Sequence, residues 1–173
     1  MAVAAPGNRF HDTGGMMTSF TIAGLFVTGL LMIGHPARSQ EAAACDATTD
    51  RCSSMARLMT DADETFATVT LQIDRSGANP ILLVTAPLGI AARPGARLIL
   101  EPGSAEIPLP LDVCFPDGCR ASAELSAAQL SQLAEARSLS VQFIPFSSGE
   151  TVAGDLGSED LTAPLRQAGV TLP

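Results

Sequence analysis

The sequence predicts a mainly β protein: one antiparallel β-sandwich or open barrel of about seven strands, with one or two short helices late in the chain. Three observations carry that expectation. Apolar residues alternate with polar ones along several short segments from residue 64 onward; Gly, Pro, Asn and Ser clusters punctuate those segments; and the period changes to helical near residue 126.

Residues 64–74 (ETFATVTLQID) place Ala67, Val69, Leu71 and Ile73 on one face and Phe66, Thr68, Thr70 and Gln72 on the other, a half-buried strand. Residues 75–79 (RSGAN) form a turn, and 80–86 (PILLVTA) suit a central strand. After Pro87 and Pro94-Gly95, residues 96–101 alternate again, with Leu98 and Leu100 facing one way. Residues 106–113 (EIPLPLDV) read as one edge strand, because Pro108 and Pro110 cannot donate ladder hydrogen bonds. A turn closed by Cys114 and Cys119 follows, then a return strand over 120–124. Ser126 with Gln129 makes a capping box ahead of a helix whose apolar face is Leu130, Leu133 and Ala134. Alternation resumes over 138–146, and a further strand lies near 151–156. Leu161, Leu165 and Ala168 then repeat at helical spacing, with Pro164 expected to break or kink that segment.

Ahead of the strands, residues 20–33 (FTIAGLFVTGLLMI) are an apolar run of 14 residues. That length suits the core of a secretory signal better than a bilayer span. Small residues at Ala37 and Ser39 provide a cleavage signal, so the expected division is a signal peptide over 1–39 and one domain over 40–173. Such a chain works in the periplasm or outside the cell and keeps no stable membrane span after cleavage. The mature part keeps 8 of the 10 arginines and 17 of the 18 acids, and its acidity argues against nucleic acid and anionic lipid as partners.

His11 and His35 both precede the expected cleavage site, so the mature domain holds no His, Lys, Tyr or Trp. A Ser–His–Asp or Cys–His arrangement cannot be built from such an inventory. The expectation is a non-enzyme with no catalytic, metal-binding or cofactor-binding residues. Asp61, Asp63 and Glu64 form an acidic cluster, but they lack the alternating ligands and turn glycine of a calcium loop and read as a solvated turn. Arg93 and Arg97 flank a Pro-Gly turn and could contact an acidic partner, although exposed arginines beside turns are ordinary.

The cysteines fall as two short-range pairs, Cys45 with Cys52 and Cys114 with Cys119. Four cysteines allow three connectivities, of which local pairing is the simplest. In Cys114-Phe115-Pro116-Asp117-Gly118-Cys119, a four-residue hairpin loop would set the cysteines opposite one another as a structural disulfide. The competing reading is a periplasmic thiol–disulfide redox protein or sensor using Cys114 and Cys119. The spacing is wider than Cys-x-x-Cys, and only Arg120 is at hand to lower a thiol pKa. Phe115, at the tip, either folds back over the disulfide or contacts a partner.

The stretch 81–119 resembles the invasion-associated locus B family. The matching elements are Ala86-Pro87-Leu88-Gly89, Arg93-Pro94-Gly95 before an alternating strand, Leu109-Pro110-Leu111 leading to Cys114, and Pro116-Asp117-Gly118-Cys119. Cys45 and Cys52 fit the family's earlier cysteine pair, and the resemblance covers roughly residues 45–169. Ala43-Ala44 stands where a Gly-Asp-Trp often precedes the first family cysteine, which predicts a shortened or missing first strand. Asp160-Leu161 replaces a common Gly-Phe pair. The resemblance implies an exported bacterial envelope protein, linked by name to host-cell invasion, acting as an interaction or structural module with an unidentified protein or envelope partner. It brings no catalytic residues with it.

Overall fold

Alternation in the sequence becomes a two-layer sandwich in the computed structural model, which describes residues 42–59 and 64–173. The expected signal peptide lies outside the described residues, as do Asp61 and Asp63. Ten strands run among the described residues: β1 (Ala44–Asp46), β2 (Arg51–Met59), β3 (Thr65–Asp74), β4 (Ile81–Ala86), β5 (Ala96–Glu101), β6 (Ala105–Leu109), β7 (Leu111–Phe115), β8 (Gly118–Glu124), β9 (Ser138–Phe143) and β10 (Val152–Gly157). Two helices, α1 (Ala127–Glu135) and α2 (Glu159–Gln167), fall late in the chain. One sheet has six strands in the order β1-β2-β3-β4-β8-β7, the other four in the order β10-β9-β5-β6, and every pairing is antiparallel.

Period-two alternation decides which side chains fill the space between the sheets. Val69, Leu71 and Ile73 of β3, Leu82 and Val84 of β4, Leu98 of β5 and Leu139 and Val141 of β9 are all fully buried. Phe66 departs from its expected polar face. Leu58 pairs with Ala67 while Met59 pairs with Thr65, so Phe66 is the extra residue of a bulge. It turns inward and stacks on Phe143 with ring centroids 5.0 Å apart.

The strand count exceeds seven for two reasons. Residues 106–113 are not one strand: the chain crosses at Pro110 from β6, an edge of the smaller sheet, to β7, an edge of the larger one. The edge expectation holds for both halves, but the continuity does not. Residues 44–59 supply the other two strands. Their inward positions on β2 are Cys52, Ser54, Ala56 and Leu58, a set too small and polar to register as a hydrophobic alternation. The shortened first strand is β1, three residues long.

The α1 capping box forms as its sequence predicts: the Ser126 hydroxyl accepts from the Gln129 amide and the Gln129 side chain accepts from the Ser126 amide. α2 runs through Pro164 without breaking, burying Leu161, Thr162, Pro164 and Leu165. Buried hydroxyls fix this helix to its neighbours. Ser54 donates to the Leu161 carbonyl at 2.6 Å, and Ser158 donates to the Leu133 carbonyl. No helix among the described residues is long and apolar enough to cross a membrane.

Candidate interaction site

Pro116 and Asp117 are the central residues of the turn between β7 and β8, because Phe115 pairs directly with Gly118 and Cys114 with Cys119. The loop is therefore two residues tighter than the four-residue loop read from sequence. Gly118 makes this possible. Its φ is +140°, and an added Cβ would lie 2.6 Å from the Ala86 carbonyl oxygen, so only glycine lets the hairpin close against the end of β4.

Cys114 and Cys119 are bonded, with Cα atoms 3.9 Å apart; Cys45 and Cys52 are bonded across β1 and β2, with Cα atoms 4.0 Å apart. Cys52 and Cys119 are buried on the inner face of the six-stranded sheet, near its two edges. No free cysteine remains among the described residues.

Strand alternation puts Phe115 on the opposite face from the disulfide, so it does not fold back over the sulfurs. It remains 49% exposed. The Arg120 guanidinium carbon lies 5.0 Å from its ring centroid, a cation–π contact. Arg120 also grips the turn, donating to the Asp117 carboxylate at 2.8 and 3.4 Å and to the Gly118 carbonyl at 3.4 Å. The hydrogen bond from Arg120 holds the Asp117 carboxyl below the ordinary aspartate range, and the same contact raises the Arg120 pKa. In the sequence Arg120 stands out only as a neighbour of a thiol. Its position five residues after Phe115, across a tight hairpin, is the signal that puts both on one face.

Elsewhere the described residues offer less chemistry. Glu64 is exposed ahead of β3, Arg93 is exposed in the loop before β5, and Arg97 Nε donates to Gln142 Oε1 at 3.0 Å. No three His, Cys, Asp or Glu side chains among the described residues come together as a metal-binding set. At the other end of the molecule a cleft of about 730 Å³ lies between the 76–80 turn, α1 and the C-terminal residues. Two of its polar lining groups, Arg51 and Asn79, are already bonded to Asp74.

Together the fold and this site define a class: a disulfide-stapled, two-sheet β-sandwich that displays a braced hairpin. The chain belongs to the invasion-associated locus B family. The sequence profile described as "Invasion associated locus B (IalB) protein" matches residues 38–168. Among solved structures, the crystal structure of invasion associated protein B from Bartonella henselae is similar. It is 16% identical, with a TM-score of 0.59 over 72% of this chain and 88% of that one. At that identity the likeness speaks for the fold. No curated relative matches the chain by sequence.

Proposed function

We propose that this chain is an exported, non-enzymatic interaction module of the bacterial envelope, working in the periplasm or outside the cell. On this reading residues 1–39 are the signal peptide, residues 40–173 are the working domain, and Phe115 is its contact residue. The observation that carries it is the braced hairpin. A half-exposed aromatic stands at a turn closed by a disulfide and gripped by Arg120, so little conformational freedom remains to be lost on binding. The family supports an envelope setting and a connection, through its name, to host-cell invasion.

The redox alternative gains no support from the hairpin. Cys114 is exposed and Cys119 buried, but the adjacent Arg120 guanidinium, the cation at hand to lower a thiol pKa, is engaged by Asp117 and by the Phe115 ring.

A photo-crosslinking residue at position 115, introduced into the full chain in living cells, tests the reading. Its expected result is a discrete adduct with an envelope component that is absent when the same group replaces the exposed Glu135. Recovery of the protein from the envelope fraction with no adduct at 115 sinks it.

A further inference from the structure

Four strands end the two sheets, and three of them carry features that hinder the addition of another strand. β1 is three residues long. β7 lies between Pro110 and Pro116, and its register shifts between Leu111 and Val113. β6 carries Pro108, which has no amide to donate. β10 (VAGDLG) differs from all three. It has no proline, and it pairs with β9 in unbroken register from Val152 to Gly157.

The ladder decides which of its backbone groups point outward. Gly157 pairs with Ser138, and just beyond it the Ser158 amide donates to the Arg137 carbonyl. In an antiparallel pair, residues that exchange hydrogen bonds alternate with residues whose backbone groups face away. Val152, Gly154 and Leu156 therefore bond to β9, whereas Ala153, Asp155 and Gly157 aim their amides and carbonyls away from it. The Gly157 amide follows this rule, donating to Asp160 Oδ2 of α2 at 2.9 Å. α2 thus closes the edge at residue 157. Ala153 and Asp155 are both exposed, and among the described residues no other backbone group takes their outward amides and carbonyls.

We infer that β10 is the pairing edge for a second copy of this chain, the two strands meeting antiparallel about a two-fold axis at Gly154. The edge itself selects this register, because the open stretch from Val152 to Leu156 is centred on Gly154. With Gly154 opposite its counterpart, the amides of Ala153 and Asp155 in each copy donate to the carbonyls of Asp155 and Ala153 in the other. No side chain stands on the axis. Within its own chain that absence admits Leu58 and Phe66, which come to 2.9 and 3.1 Å of where a Cβ would lie. Centring the pair on Asp155 would set two carboxylates directly opposite each other, and centring it on Ala153 would oppose Asp155 to Thr151, outside the strand. Pairing at Gly154 joins the two four-stranded sheets into one continuous sheet. β10 lies over β2, and β7 ends the larger sheet on its other side, so each copy keeps its hairpin free and the pair displays both.

Sedimentation velocity of the purified protein over a concentration series tests the pairing. Expected is a reversible dimer whose share grows with concentration. Ala153→Pro removes an outward amide and none that bonds to β9. Its circular-dichroism spectrum should match wild type while the dimer dissociation constant rises at least about tenfold. Ala153→Ser, which keeps the amide, should dimerise as wild type does. The register has a separate readout. Under mild oxidation, a mixture of Ala153→Cys and Asp155→Cys chains should form an intermolecular disulfide, because directly opposed residues fall within bridging distance. Either variant alone should form much less. The inference is overturned by a wild-type chain that stays monomeric throughout, by an Ala153→Pro chain that dimerises like wild type, or by bridging no more frequent in the mixture than in the single variants. None of these results bears on the adduct at position 115, on the other side of the sandwich.

Discussion

The Arg120 guanidinium joins three groups that lie apart in the sequence: the Phe115 ring, the Asp117 carboxylate and the Gly118 carbonyl. Each substitution among them has a separate signature. Phe115→Ala removes a half-exposed ring, so stability should stay within about 0.5 kcal/mol of wild type in a denaturant melt while the partner identified by crosslinking is no longer retained in a pull-down. Asp117 titrates below the ordinary aspartate range because Arg120 favours its charged form. The stability it lends is complete above the unfolded aspartate pKa and is lost as pH falls through the lowered folded value. A carboxyl-carbon NMR titration should show that low midpoint, and Arg120→Gln should return it to the ordinary range. Gly118→Ala should destabilise by about 1–3 kcal/mol, from left-handed backbone strain and the clash with the Ala86 carbonyl.

α2 shows where single-sequence reasoning runs short at the level of elements. Pro164 argued against a helix, but three buried side chains besides Pro164 and the Ser54 hydrogen bond to the Leu161 carbonyl outweigh one lost intrahelical bond. Leu161→Ala should cost about 2–5 kcal/mol in a thermal or urea melt, because the side chain is fully buried. Strands β3, β4, β5 and β9 were legible because large aliphatics alternate along them. β2 was not, since its inward side chains are a cysteine, a serine, an alanine and one leucine. The bulge that turns Phe66 inward was also hidden, because a ladder irregularity depends on the partner strand. The same holds at the candidate site. The cysteine pair and Phe115 could be singled out from spacing, but the grip of Arg120 required knowing that the loop is two residues long.

For the molecule as a whole, the two disulfides act on short loops, with sequence separations of 7 and 5. Replacing either pair by serines should lower stability by roughly 2 kcal/mol in the chain-entropy account, measured by denaturation of each variant against wild type. Their placement matters beyond that figure. The six-stranded sheet ends in β1 on one side and β7 on the other, and each is covalently fastened to its inner neighbour. An outermost strand normally offers an open row of backbone donors and acceptors to which another chain can add. Here each outermost strand is short and locked in register by a sulfur bridge, so it cannot peel away to admit a newcomer. Exchange of either strand with its counterpart in a second copy is thereby discouraged, while the outward backbone row of each stays open.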